Sequence, residues 1–217
     1  MLSTNINKKE LFVTSAAMLA CLVLFYSFPT KGSFQEIMSS LTFLFLVPIL
    51  YIKLILKKNV SDFGLGMGDY KKGFLWGAIS LVFVALFILL LSRFENVSKD
   101  YRDLFYVSKY FDLFVMREIS FGIAFVLVDF FFRGFVMFYF QNIFQKKYFA
   151  IFLQFVMFLA LLLLSGKLNW SFATQALLSL SAGIIAFNSK SILYSSFFSW
   201  ISIIVIELSI MKLFFSN

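Results

Sequence analysis

The sequence predicts an all-α fold, a polytopic transmembrane helical bundle with about seven spans. Hydrophobic residues make up 61% of the chain and charged residues only 14%, and the mean hydropathy is +0.92. A soluble domain carries about 25% charged residues. The apolar residues are gathered into stretches of about twenty residues, which is the length that crosses a bilayer. They do not show the alternating pattern of a β-barrel.

Seven such stretches follow one another, and each must be helical because lipid cannot satisfy unpaired backbone groups. The first stretch follows a basic start, as in a signal peptide, but it is long enough to span the bilayer. We therefore expect it to be a retained helix. The fourth is longer than a bilayer needs and should tilt or project. The predicted spans are Leu11–Phe28, Ile37–Leu56, Gly73–Ser92, Glu118–Phe144, Phe149–Ser165, Trp170–Asn188 and Ser191–Met211.

We expect one membrane domain, with residues 1–58 forming an N-terminal helical hairpin and residues 59–217 the core. The formal charge of +8 does not indicate nucleic-acid binding, because the lysines lie in short loops between apolar spans. That distribution orients a membrane protein and predicts a cytoplasmic N-terminus. The lysines on the predicted cytoplasmic side are Lys8, Lys9, Lys53, Lys57, Lys58, Lys71, Lys72, Lys146, Lys147 and Lys190.

Two connections are long enough to have structure of their own. The connector Lys57–Lys72 contains three glycines and should be rich in turns. The segment Arg93–Arg117 mixes charges with aromatic residues. It suits either an amphipathic segment at the outer interface or a plain solvated loop.

The fourth span contains the most unusual polar residues. Asp129 and Arg133 stand four residues apart, on one face of a helix, so that each can neutralise the other. Glu118 and Gly122 share that face, and Gly134 lets a neighbouring helix approach closely. Ionisable residues inside a membrane are costly and are often functional. The group therefore predicts either a polar cavity within the membrane or a structural ion pair that locks the helix into the bundle.

Serines recur along the last span at helical spacing. Ser195, Ser199 and Ser202 lie on one face, with Glu207 further along. Such a face serves either tight helix packing or a ligand-lined cavity. A serine nucleophile is not expected, because the chain has no histidine to act as its base. The single cysteine, Cys21, excludes an intrachain disulfide and a cysteine metal cluster. The candidate binding residues are Glu118, Asp129, Arg133, Ser195, Ser199 and Ser202.

Segment 128–134 reads VDFFFRG. It resembles the Glu-Glu-x-x-Phe-Arg-Gly signature of the CPBP family of intramembrane metalloproteases, which includes CAAX prenyl proteases and bacteriocin-processing or self-immunity proteins. The lead-in LKKNVSDFGLG and the later block SLSAGIIAFNSKSILYSSFFSWISII are similar to other parts of the family pattern. The resemblance covers Asn59 to Ile204 and implies a CPBP-like helical core in a bacterial plasma membrane.

The resemblance also shows departures at the positions that carry the family's chemistry. The family's first glutamate acts as a base on metal-bound water, and Val128 takes its place here. Its histidine motifs fall on residues that are not histidine. The family implies zinc, but the ligands are absent here, so we expect no metal and no cofactor. The motif-equivalent positions are Val128, Asp129, Arg133, Leu162, Ser199 and Ile203.

These departures predict a catalytically inactive pseudoprotease that binds or regulates a membrane partner, either a membrane protein or a lipid-anchored one, while contacting membrane lipids. One alternative is an active intramembrane metalloprotease with an atypical site. A second is a small membrane transporter, although the sequence lacks the internal symmetry and paired broken helices that often mark one.

Overall fold

The computed structural model describes residues 8–91, 93, 110–144, 146–164 and 170–215, and throughout these the long elements are helices. Six helices are long and apolar enough to cross a membrane, and a further apolar helix, Tyr148–Leu164, is shorter. The all-helical prediction is therefore confirmed, and the helices fit an integral membrane protein. They are α1 (Lys8–Ser27), α2 (Phe34–Ile55), α3 (Tyr70–Leu91), α4 (Phe111–Phe144), α5 (Lys147–Leu164), α6 (Trp170–Ser189) and α7 (Ile192–Phe215).

The start of α4 differs most from the predicted boundary. Tyr110 is extended, and the helix begins at Phe111 instead of Glu118. Segment Phe111–Arg117 is therefore the first part of one continuous helix and not a loop. Its charged residues suggested a loop, but Asp112 lies in the first helical turn, where an acid is favourable. Residues 94–109 of the predicted interfacial segment lie outside the described residues.

Helix α4 is the central helix of the bundle. In its most apolar stretch of 18 residues, 61% of the residues are buried, whereas the share is 22 to 44% in the corresponding stretches of the other five long helices. All residues from 129 to 140 are buried, and segment Phe130–Met137 within this stretch is π-helical. Rings of this segment contact α2 through Phe45 and Phe130, and α5 through Phe132 and Phe158. The main core therefore surrounds α4, and a smaller apolar cluster lies between α3, α6 and α7.

The connector between α2 and α3 is held against one end of the bundle. Its short 3-10 helix, Val60–Phe63, buries Phe63 fully. The carbonyl of Phe63 lies where a side chain at Gly134 would project, 2.8 Å from an ideal Cβ. We expected Gly134 to admit a neighbouring helix, but the backbone that approaches it belongs to this connector. The Asp69 N–H donates to the Ser189 carbonyl at 2.6 Å, which ties the connector to the turn between α6 and α7.

Asp69 also begins α3. Its Oδ1 accepts the backbone N–H of Lys72 at 3.1 Å, and its Oδ2 lies 3.1 Å from Lys72 Nζ. The backbone hydrogen bond, and after it the side-chain one, lowers the pKa of Asp69. Both contacts favour the ionised carboxylate at the positive end of the helix dipole.

We expect Gly68→Ala to destabilise the fold by about 1 to 3 kcal/mol. Gly68 has a φ of +56°, and a Cβ there would run into the Ser189 carbonyl. Gly66→Ala is the matched control, because its nearest atom, Ser61 O, is 4.0 Å away. The free energy of unfolding of both variants can be measured in detergent micelles. Equal stability of the two would contradict the tight contact between the connector and the α6–α7 turn.

Candidate functional site

Asp129 and Arg133 form a buried ion pair in the middle of α4. Asp129 Oδ1 lies 3.0 Å from Arg133 Nη1, and the side chains are 1% and 3% exposed. A charge moved from water into such surroundings loses several kcal/mol of hydration, so it persists only with good partners. The predicted i, i+4 pairing is therefore present in the structure, inside the protein and not on its surface.

Two serines at the start of α7 complete the carboxylate's contacts. Ser195 Oγ lies 2.7 Å and Ser196 Oγ 3.1 Å from Asp129 Oδ2. Each hydroxyl also lies 2.9 Å from the Ile192 carbonyl, to which a serine in the first turn can donate instead. Since a hydroxyl has one proton, it donates to one acceptor at a time. Both oxygens of Asp129 are thus engaged, one by a guanidinium and one by hydroxyls.

Helix α6 holds the other side of Arg133. Nη2 of the guanidinium donates to the Ser179 carbonyl at 3.2 Å, and Gln154 Nε2 donates to the same carbonyl at 3.4 Å. The Phe158 ring lies 5.2 Å from the guanidinium carbon, a distance at which a cation is attracted to an aromatic face. We call Asp129, Arg133, Ser195, Ser196 and the Ser179 carbonyl the clasp, because together they join α4 to α6 and α7.

The remaining motif-equivalent positions bring no polar group to the clasp. Val128 is half-buried against the main core, and Ile203 packs on the smaller apolar cluster. Leu162, near the end of α5, is half-buried as well. The hydroxyls of Ser199 and Ser202 are buried and have no hydrogen-bond partner among the described residues. Of the three serines predicted to share a face, Ser195 alone contacts Asp129.

The residues present do not fit the zinc site that the family resemblance implies. The chain has no histidine, and valine, leucine and isoleucine side chains offer no donor atom. Both oxygens of Asp129 are already taken by Arg133 and the two serines. Within the described residues, no group of three or more acidic or cysteine side chains is arranged to hold a metal ion. We therefore assign no metal-dependent step to this site.

A second charged cluster lies near the start of α4. Arg117 donates to Glu207 through both terminal nitrogens, at 2.7 and 2.8 Å, and Nη1 also donates to Glu118 at 2.7 Å. The guanidinium lies 4.4 Å from the centre of the Phe121 ring. Two carboxylates share one guanidinium, so the cluster has one excess negative charge when all three groups are ionised. Oε2 of Glu118 is buried and has no hydrogen-bond partner among the described residues.

Sequence reasoning missed this cluster, although it named Glu118 and Glu207 separately. It placed Arg117 at the end of the Arg93–Arg117 connection and noted Glu207 only as a residue further along the last span. Two acids at the same end of neighbouring spans, next to an arginine, were the available signal. Glu118 was a candidate binding residue, and its side chain is 7% exposed and binds Arg117.

The two clusters lie at opposite ends of a seam between α4 and α7. Along α4 the contacts run from Arg117 to Asp129, while their partners on α7 run from Glu207 back to Ser195. The helices are therefore antiparallel here. In the middle of the seam the Trp200 ring lies against Gly122, with 3.1 Å between the ring and an ideal Cβ. Along α4 the two clusters are about 18 Å apart.

The chain matches no protein-family model, no curated protein and no solved structure. The CPBP resemblance accordingly remains an expectation that rests on segment 128–134 and its flanking blocks. The site described above stands on its own geometry.

We expect Asp129→Asn to cost on the order of 3 to 5 kcal/mol, because it leaves Arg133 buried without a counter-charge. Asp112→Asn is the matched control, since it removes an exposed carboxylate from the first turn of the same helix. Yield of folded protein and thermal melting in detergent measure both. Unchanged melting of Asp129→Asn would show that the pair is hydrated and not buried.

Proposed function

We propose that this protein is a CPBP-like membrane protein without hydrolytic activity, which binds and regulates a membrane-embedded or lipid-anchored partner. In this proposal α5 completes a seventh crossing and residues 59–217 form the family-like core. The protein resides in a bacterial plasma membrane with its N-terminus in the cytoplasm.

The complete engagement of Asp129 carries the proposal. A catalytic carboxylate must be free to bind a metal or to accept a proton from water. Here one oxygen pairs with Arg133 and the other meets two serine hydroxyls, with the side chain 1% exposed. The position that the resemblance gives to the catalytic base holds Val128. These residues favour a structural role for α4 over a role in hydrolysis.

The proposed orientation is supported by lysines that the fold brings to one end. The hydrogen bond from Asp69 to Ser189 places the connector beside the turn between α6 and α7. Lysines therefore gather at this end, and such a concentration favours the cytoplasmic side. They are Lys57, Lys58, Lys71, Lys72 and Lys190.

Partner binding is supported by the apolar surface beside the clasp. On α4 and α7 several large apolar side chains are exposed along a single groove, including Ile119, Ile123 and Phe197. Within a membrane, a groove between two helices is the surface against which a third helix packs.

Measurements of metal content and of proteolysis test the proposed lack of hydrolytic activity. We expect purified protein to contain far less than one zinc per chain by elemental analysis. In proteoliposomes it should leave a membrane-anchored peptide reporter intact, whether or not a chelator is present. Cleavage that a chelator abolishes, together with its loss in Asp129→Ala, would overturn the proposal in favour of an atypical metalloprotease.

Crosslinking in native membranes tests the partner-binding part. We expect a discrete crosslinked species that the groove-filling variant Ile123→Trp reduces severalfold. Leu86→Trp, on the exposed face of α3, should leave it unchanged. Equal crosslinking by both variants would show that the groove does not bind the partner.

A further inference from the structure

The connector between α2 and α3 and the turn between α6 and α7 form one surface at an end of the bundle. Besides the hydrogen bond described above, the Ile192 N–H donates to the Gly64 carbonyl at 2.9 Å. An ideal Cβ at Gly68 would lie 3.1 Å from the carbonyl carbon of Lys190, so Lys190 is a neighbour of the start of α3. We call this surface the lysine face. Its exposed residues include Lys57, Lys58, Met67, Tyr70, Lys71, Lys72 and Lys190.

The lysine face carries an excess of positive charge. Its five lysines stand against two acids of the same segments, Asp62 and Asp69. Asp69 pairs with Lys72. The other four lysines are exposed, and none of them pairs with an acid among the described residues. Their charges can therefore be met by an anion from outside the chain.

The local backbone does not require lysine at these positions. Lys57 and Lys190 have φ values of +54° and +56°, a left-handed conformation that favours glycine or asparagine. Lys71 and Lys72 lie in the first turn of α3, where the helix dipole opposes a cation. The feature that these four residues share is therefore their charge and not a benefit to the fold.

Two exposed side chains with apolar parts stand among the lysines. Met67 is 74% exposed and Tyr70 is 60% exposed, on either side of the contact between Gly68 and Lys190. A free phosphate offers these side chains no apolar surface, whereas the interface of a bilayer accommodates both lysine and tyrosine. The lysine face also lies where two candidate membrane spans, α2 and α3, end and begin. Its composition and its position therefore both fit a lipid surface.

We propose that the lysine face binds the headgroups of anionic phospholipids. The four lysines that pair with no acid meet the phosphates, while Met67 and Tyr70 contact the glycerol and upper acyl groups of the same lipids. Each lysine at a membrane surface adds its own attraction to anionic lipid, so the affinity depends on several lysines and not on one. The inference requires only that the helices span a membrane, and it is independent of the partner proposed above.

Lipid titrations of the unmodified protein test the inference. The full chain in an uncharged detergent is mixed with phosphatidylglycerol or with phosphatidylcholine of identical acyl chains, and the bound lipids are counted by native mass spectrometry. Both lipids contain a phosphate, but only phosphatidylglycerol has a net negative charge. We expect phosphatidylglycerol to bind on the order of tenfold more tightly at low salt. This preference should shrink as the salt concentration rises, because salt screens exposed charges.

Two variants remove a charge without straining the backbone. Lys57→Gly and Lys190→Gly place glycine at left-handed positions, which it adopts at no steric cost, so the fold should be retained. Each should weaken phosphatidylglycerol binding about fivefold and leave phosphatidylcholine binding unchanged. Lys190→Arg should keep the preference. Lys31→Gln is the matched control, because it removes an exposed charge at the other end of α2 and should change neither affinity.

Soluble competitors distinguish the source of the anion. Glycerol phosphate should not displace phosphatidylglycerol at equal concentration, because it has no acyl chain to contact Met67 and Tyr70. Displacement by glycerol phosphate or by inorganic phosphate would overturn the lipid assignment in favour of a free phosphate. Displacement by a polyglutamate peptide would overturn it in favour of an acidic protein segment. Equal binding of the two lipids, or a full preference retained in both glycine variants, would contradict the inference. The comparison of the two lipids needs no variant, so it stands even where a variant folds poorly.

Discussion

The structure depends on the neutralisation of two charges inside the bundle. Asp129 and Arg133 lie among the most buried residues of the chain, and each would cost several kcal/mol if left alone there. Partners from α6 and α7 reduce that cost, because Ser179 accepts from the guanidinium and two α7 serines meet the carboxylate. Helix α4 can therefore take only a position that meets all these contacts at once. The rings of Phe130 and Phe132, which α4 carries, then pack against Phe45 of α2 and Phe158 of α5.

These contacts of Asp129 and Arg133 also limit the chemistry that the site can perform. Asp129 is 1% exposed, and its charge is already compensated by a guanidinium and two hydroxyls, so it is shielded from a metal ion or water in solvent. Stability at Asp129 is thus obtained at the expense of reactivity. The Arg117 cluster differs in its charge, since two acids share one base. We therefore assign a structural role to the clasp.

The sequence was sufficient where one helix determines the outcome and insufficient where two helices must be placed. The Asp129–Arg133 pair follows from spacing on a single helix, and so does the approximate position of each span. Ser196 could not be chosen, because the serine pattern selected Ser195, Ser199 and Ser202, and only the crossing of α7 over α4 decides which hydroxyls reach Asp129. The pairing of Arg117 with Glu207 likewise depends on the antiparallel register. Gly134 was recognised as a close-approach site, but its neighbour proved to be the Phe63 carbonyl of a connector.

The positions of the two clusters explain why one excess charge is tolerated and the other would not be. Arg117 is 28% exposed near the start of α4, whereas Arg133 is 3% exposed in its middle. A charge near a helix end can reach water or headgroups, so its imbalance costs less than one at the centre of a bundle. The excess charge therefore lies at one end of the α4–α7 seam, and the charge-balanced clasp lies at the other end.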